Sequence, residues 1–150
     1  MARNIYCKDV KFSEYSLWHR SKPNPVAMMD VDKVSTCIAC NKPLFLAETT
    51  RFVGKYHKAY SMTKQLADMA KLPAWIIFYV LKNNEIDHFK IKKIAPEIKS
   101  IQNVSPEAWL EYLEKMQTEH FPSCPKQDLF LLKMKNANSP NYEKLLSSRH

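Results

Sequence analysis

The fold is organised around AWIIFYVL, residues 74–81, in which every residue is apolar. A strand with one solvated face alternates apolar and polar residues, so an unbroken apolar run predicts a central strand covered on both faces. Pro73 ends the preceding element, and the asparagine-rich turn at 83–85 ends the strand. The more polar IDHFKIKKI, residues 86–94, predicts a neighbouring strand nearer the edge of the same sheet.

Two helix patterns and two strand patterns precede this pair. FSEYSLWHR, residues 12–20, has helical spacing of its apolar residues, and residues 55–71 carry a longer amphipathic helix pattern with Thr63 and Ala67 on its inner side. Residues 26–38 and 44–50 read as strands, and the turn between them predicts a hairpin.

The part of the chain after Pro96 is predicted to be mainly helical. Ser105 suits an N-cap and Pro106 suits the first turn of a helix. The apolar side of this helix is predicted to consist of Trp109, Leu110, Leu113 and Met116. DLFLLKMK, residues 128–135, fits either a short strand or a helix.

The order of these elements predicts an α/β or α+β fold, with a mixed central sheet of about four to five strands flanked by helices. A chain of 150 residues is the size of one domain. We expect residues 1–96 to form its α/β core and residues 97–150 to form a helical extension packed on the same domain.

Composition narrows the functional classes. A single glycine, Gly54, excludes the glycine-rich loops of dinucleotide-binding and P-loop proteins, which need several residues without a Cβ atom. The N-terminal MARNIYCKDVKF lacks an apolar stretch of signal-peptide length, and no apolar run is long enough to cross a bilayer. These patterns predict a soluble cytoplasmic protein that makes no membrane contact.

A net charge of +8 indicates a polyanionic partner, because each neutralised phosphate releases a counterion. The residues expected to contact a nucleic-acid backbone are Arg20, Lys55, Lys58 and Lys64. Lysines on a solvated helix face are also a common way to keep a domain soluble, so charge alone leaves both interpretations open.

LFLAETT, residues 44–50, ends a predicted strand with a carboxylate, Glu48. Glu48 could be the first solvated residue after the strand, or it could belong to a metal site. If the hairpin forms, Asp30 or Asp32 on the preceding strand approaches Glu48. Mg²⁺ would relieve the repulsion between such carboxylates, since it prefers one or two of them together with water and substrate phosphate.

The order helix, Asp, hairpin, Glu-x-x, helix, buried strand resembles the PD-(D/E)xK nuclease superfamily over roughly residues 12–95. The resemblance implies a restriction-endonuclease-like core that hydrolyses phosphodiester bonds of DNA or RNA with Mg²⁺ or Mn²⁺. It implies catalytic roles for Asp30 or Asp32 and for Glu48, with Asp32 and Glu48 as the ligands of the metal.

The sequence departs from the family pattern at Thr50, which stands where the superfamily has a lysine. Lys55, Lys58 or Lys64 could supply that charge from a neighbouring element, and helical phase favours Lys64. Otherwise the chain has lost cleavage and is a nucleic-acid- or protein-binding accessory or inhibitor module on the same fold.

Cys37 and Cys40 have the spacing at which two thiolates in a tight turn reach one Zn²⁺ ion. A second such pair is absent from the sequence, so the remaining ligands must come from elsewhere. The candidates, of which the two cysteines are favoured, are Cys7, Cys124, His19, His57, His88 and His120. Without a metal, these residues are free cysteines in a turn.

Overall fold

The structure is a computed structural model, and it describes residues 31–149. These residues contain a mixed five-stranded sheet flanked by helices, which confirms the predicted fold class. The strands are β1 (Lys33–Thr36), β2 (Pro43–Arg51), β3 (Ala74–Lys82), β4 (Glu85–Ala95) and β5 (Gln102–Val104).

The strands lie in the sheet in the order in which they occur in the chain. β1 and β2 form the predicted antiparallel hairpin, and β3 pairs with β4 and β4 with β5 in the same antiparallel sense. β2 and β3 are parallel, so the chain must cross over between them. The crossover contains the helix α1 (Ser61–Ala70).

β3 is the central strand that its apolar sequence predicted. On one face of the sheet, Ile76 and Phe78 pack in a core with Ala67 of α1. On the other face, Trp75 and Ile77 pack with Trp109 of a second helix. Because successive side chains of a strand point to opposite faces, a strand buried on both faces needs an unbroken apolar run.

The second helix, α2 (Pro106–His120), begins as predicted, because the Ser105 hydroxyl accepts a hydrogen bond of 3.1 Å from the backbone N–H of Ala108. The prediction that Leu110 belongs to its apolar side is wrong, since that side chain is 61% exposed. Tyr112 takes its place and packs with Trp109 against the sheet. Residue 112 lies three positions after residue 109 and therefore falls on the same helix face. Residue 110 is only one position away and points in a different direction.

Two further helices follow the 3₁₀ turn Phe121–Ser123. They are α3 (Gln127–Asn136), which settles residues 128–135 as helical, and α4 (Tyr142–Ser147). None of the helices in residues 31–149 has the length and apolarity needed to cross a bilayer.

The helix predicted for residues 55–71 is shorter than expected, since α1 begins only at Ser61. The preceding segment remains non-helical, and its Tyr56 ring packs 5.0 Å from the Phe52 ring and 5.4 Å from the Phe78 ring. These tertiary contacts outweigh the helical periodicity of the segment. The strand predicted for residues 26–38 is likewise shorter in its described part, where it covers only β1.

Candidate functional site

Four potential metal ligands converge beside the tip of the β1–β2 hairpin. The ligand atoms of Cys37, Cys40, His120 and Cys124, which we name the Cys3His group, all lie within 4.8 Å of one another. Two thiols of the group, those of Cys37 and Cys124, are buried, and the Cys40 thiol is half-buried. Such a set of soft sulfur and imidazole donors can hold a metal ion.

The hairpin turn positions the first two ligands. It is closed by a hydrogen bond of 2.8 Å from Cys37 N–H to the Lys42 carbonyl and by one of 3.1 Å from Asn41 N–H to the Cys37 carbonyl. Asn41 has φ of 61°, a left-handed conformation that asparagine tolerates better than most residues. The backbone N–H of Ala39 points to the Cys37 sulfur at 3.4 Å, which helps to fix the position of that sulfur in the turn.

The end of α2 positions the other two ligands. His120 is its last residue, and the 3₁₀ turn that follows returns Cys124 to the same point. The Cys37 and Cys124 sulfur atoms are 3.8 Å apart, and the Cys40 sulfur lies 3.3 Å from His120 Nε2.

The thiols of the group differ in acidity. The hydrogen bond with His120, assisted by the Lys42 backbone, lowers the pKa of Cys40 to about 6. Burial raises the pKa of Cys124 to about 11. A thiol that is buried in this way ionises readily only beside a cation, so a bound metal would supply the charge that the Cys124 thiolate needs.

The structure thus brings Cys37 and Cys40 together with Cys124, which was one of the two favoured partners. The other, Cys7, lies outside the described residues. His120 was among the candidates, but the sequence favoured the cysteines over it. Its position four residues before Cys124, at the end of a predicted helix, was a signal that could have indicated a second pair of metal ligands.

A second group of polar side chains surrounds Glu48 on the face of the sheet that α1 covers. We name it the carboxylate cluster, and it consists of Asp32, Glu48, Lys58 and Thr63. Asp32 immediately precedes β1, and the pairing of Lys33 with Ala47 places it across from Glu48. The predicted approach of these two acids is therefore present in the structure. Asp30 lies outside the described residues.

Lys58 connects the two acids. Its ammonium nitrogen is 2.9 Å from Asp32 Oδ2 and 3.6 Å from Glu48 Oε2. The Thr63 hydroxyl donates a short hydrogen bond to Glu48 Oε1, and the Thr49 backbone N–H donates one of 2.9 Å to Asp32 Oδ2.

The pKa values of the two carboxylates shift in opposite directions. Glu48 is only 4% exposed, so it is not the solvated end of a strand. Burial and the neighbouring Asp32 raise the pKa of Glu48, although the Thr63 hydroxyl and Lys58 oppose that rise. Partial burial also acts to raise the pKa of Asp32, but the hydrogen bonds from Thr49 and Lys58 outweigh it and lower that pKa below its ordinary value.

The remaining predicted site residues lie in different surroundings. The ammonium of Lys64 is 3.0 Å from Asp68 Oδ2 and 3.4 Å from the Pro96 carbonyl oxygen, so its contacts are with these groups. Lys55 is exposed, and Thr50 is half-buried on β2. Arg20 lies outside the described residues. Among the lysines of residues 31–149, Lys58 is the one that reaches both acids, and it comes from the non-helical segment before α1.

A cavity of about 330 Å³ lies on the other face of the sheet, between β4, β5 and the start of α2. Trp75, Trp109 and Tyr112 form its aromatic wall, and Lys93 and Lys99 are its charged residues; its described lining contains no acid. The Lys93 ammonium lies 5.6 Å from the centre of the Trp75 ring. Local sequence patterns do not predict this cavity, because its residues come from separate elements.

The described residues therefore present a group of sulfur and imidazole donors that could hold a metal ion and, apart from it, two acids that share a lysine. No protein-family model, curated protein or solved structure matches the chain.

Proposed function

We propose that the protein is a metal-dependent nuclease that hydrolyses phosphodiester bonds at the carboxylate cluster. The observation that carries this proposal is the contact of the Lys58 ammonium with both Asp32 and Glu48. Two acids and a lysine are the residue types of the PD-(D/E)xK motif, which the sequence resembles. Lys58 offers the positive charge that Thr50 cannot supply.

The carboxylate cluster suits Mg²⁺ or Mn²⁺ in its chemistry, because both ions prefer carboxylate oxygen and water. The raised pKa of Glu48 also reflects burial and an adjacent negative charge, which a divalent cation would offset. When bound, such an ion supplies a polarised water and stabilises charge that develops on the phosphoryl oxygens.

The residues of the chain have separate roles in this proposal. Asp32 and Glu48 hold the cation, and Thr63 orients Glu48 through its hydrogen bond. With Asp32 and Glu48 holding the cation, the Lys58 ammonium would be released from them and could donate to an attacking water or to a phosphate oxygen. Lys58 thus takes the catalytic role that helical phase in the sequence assigned to Lys64.

The test is a cleavage assay on single- and double-stranded DNA and on RNA, with Mg²⁺ or Mn²⁺ supplied. We expect Asp32→Asn, Glu48→Gln and Lys58→Met each to reduce the rate by about 100-fold or more, the scale on which positioned catalytic groups contribute. Lys64→Met is the matched control, because its ammonium contacts Asp68 and Pro96. Absence of cleavage with every metal, or equal loss in Lys64→Met and Lys58→Met, would overturn the proposal.

A second candidate function is a non-catalytic module that binds nucleic acid or protein. Glu48 is buried and already has Thr63 and Lys58 as partners, so the cluster also fits an ion-paired element of the core that holds no metal. The basic aromatic cavity would then contact a nucleic acid, since aromatic rings and lysines together suit bases and phosphates. Nucleic-acid binding at 100 mM salt without cleavage supports this function, and a stable protein partner without nucleic-acid binding supports the protein-binding form.

We also propose Zn²⁺ as the ion of the Cys3His group. Zinc–sulfur bonds of about 2.3 Å in a tetrahedron place two sulfur atoms about 3.8 Å apart. The Cys37–Cys124 sulfur separation is 3.8 Å. Thiolate ligands remain reduced in the cytosol, so zinc agrees with the cytoplasmic location we propose. Elemental analysis is expected to find one equivalent of zinc, and its loss in Cys40→Ser.

A further inference from the structure

The Cys3His group lies in a hydrophobic core of its own. Its ligands Cys37 and Cys124 belong to a cluster of buried residues that is separate from the two cores on the faces of the sheet. The other members of this cluster, which we name the third core, are Ala39, Phe121, Phe130, Leu131, Met134 and Leu145.

The third core holds the C-terminal helices. The buried residues of α3 are Phe130, Leu131 and Met134, and the buried residue of α4 is Leu145. All four belong to the third core. The packing of α3 and α4 therefore depends on the hairpin tip and on the 3₁₀ turn that present the metal ligands.

These helices are short. α3 has 10 residues and α4 has 6, whereas isolated helices below about 12–15 residues are marginal in water. Their stability must come from tertiary packing, and a core with so few large side chains contributes little by itself. Small cores of this kind commonly depend on a metal or a disulfide.

The Cys3His group links two distant parts of the chain at this point. Its two close contacts join residues that are 87 and 80 positions apart in the sequence. An ion that binds these ligands in the folded chain, and not in the unfolded one, adds its binding free energy to the stability of this contact. The group offers four protein ligands, so a tetrahedral ion held by all of them would have no position left for a substrate, as is typical of structural zinc.

Direct hydrogen bonds also connect the hairpin tip with α2 and α3. Gln117 of α2 accepts a bond of 3.2 Å from the Ile38 backbone N–H and donates one of 2.8 Å to the Thr36 carbonyl. Lys133 of α3 donates one of 2.7 Å to the Ile38 carbonyl. Both side chains reach the hairpin from exposed or partly buried positions, so solvent competes for these bonds.

We infer that the metal in the Cys3His group is a structural staple, which keeps the third core closed and holds α3 and α4 on the hairpin tip. This inference rests on the zinc assignment proposed above and is independent of the nuclease proposal. Loss of the ion is expected to unfold the C-terminal end locally, while the sheet, whose two cores contain no ligand of the group, remains folded.

The test is hydrogen exchange on the full chain with zinc bound, after removal of zinc by a chelator, and after zinc is restored. Removal is expected to raise the exchange rate of amides in α3 and α4 by about tenfold or more, with little change in β3. Restored zinc should reverse the effect. Cys40→Ser should behave like the chelated protein, and Cys40→His, which restores a ligand, should retain zinc and protection.

Each contrary result has a distinct meaning. Zinc bound at one equivalent, with unchanged protection of α3 and α4 after its removal, would overturn the staple and leave the zinc assignment intact. A protein that neither contains nor takes up zinc would overturn both. Equal loss of protection in β3 would also overturn the inference, because the metal would then support the whole fold.

Discussion

Glu48 shows how the surroundings of one residue decide its chemistry. The sequence places it after apolar residues at the end of a predicted strand, where a solvated acid and a site residue are equally consistent. The structure buries it beside Asp32, Lys58 and Thr63. A buried carboxylate retains its charge only with such partners, so the cluster is compatible with both a metal site and a structural ion pair.

Replacement of Glu48 and replacement of Asp32 are expected to have opposite effects on the pH dependence of the free energy of unfolding. The folded-state pKa of Glu48 is raised, so this group contributes stability below its ordinary pKa, and that contribution is lost as pH rises through the raised value. The pKa of Asp32 is lowered, so its contribution is present above the ordinary value and is lost as pH falls through the lowered one.

Glu48→Gln should therefore gain stability relative to the wild type as pH rises from 4 to 7. Asp32→Asn should lose stability relative to the wild type as pH rises toward the ordinary aspartate pKa of 3.8, with little further change above pH 4. We expect the loss for Asp32→Asn to be about 1 kcal/mol or less, because solvent screens this pair. Urea unfolding in buffer with a chelator measures both changes. Parallel trends in the two variants would show that the acids do not differ in this way.

At the scale of elements, local signals gave the limits of helices best where a side chain acts on its own backbone. Ser105 caps α2 as its sequence indicates, because the capping hydrogen bond spans only three residues. The start of α1 was predicted too early, since the contact of the Tyr56 ring with Phe78 of β3 comes from a distant part of the chain that local periodicity does not report. Lys58 lies in the same non-helical segment. Helical phase does not apply there, so it wrongly favoured Lys64 as the lysine that contacts the acids.

The two serines at helix starts provide a matched test of capping. Ser105→Ala is expected to reduce the free energy of unfolding by about 1 kcal/mol, because it leaves the Ala108 N–H without its acceptor. Ser61→Ala is the control, since the cap position of α1 is Tyr60 and has no side-chain bond; its effect should be within about 0.5 kcal/mol. Chemical denaturation of both variants measures the difference, and equal effects would contradict the capping role.

At the scale of the whole molecule, the net charge of +8 favours a polyanion, but it does not locate the binding surface. Among the described residues, the basic cavity beside Trp75 and Trp109 is one place where lysines and aromatic rings occur together. Lys58, by contrast, is paired with Asp32 and Glu48. Not every lysine is therefore a candidate for contact with a polyanion.

If the cavity contacts nucleic acid, the paired change Lys93→Gln with Lys99→Gln should reduce the slope of log affinity against log salt by about 1–2, because each lost phosphate contact releases about one counterion fewer. The charge-matched control is Lys82→Gln with Lys135→Gln at two exposed lysines outside the cavity. Fluorescence anisotropy across a salt series measures the slopes. Identical slopes for the two double variants would exclude a specific role of the cavity.

The sequence by itself determined the central strand, the β1–β2 hairpin, the start of α2 and the Cys37–Cys40 ligand pair. Each of these depends on interactions between residues that are close in the chain, through apolar periodicity, turn chemistry or capping. The hairpin pattern also predicted that Asp32 approaches Glu48, which the structure shows, whereas the resemblance to PD-(D/E)xK nucleases stays a prediction.

Only the tertiary structure decided that Lys58 joins the acids, that His120 and Cys124 complete the Cys3His group, and that a third core supports the C-terminal helices. These contacts join residues that are far apart in the sequence. Local periodicity carries no information about such partners, because their proximity depends on how the sheet, the crossover and the helices pack together.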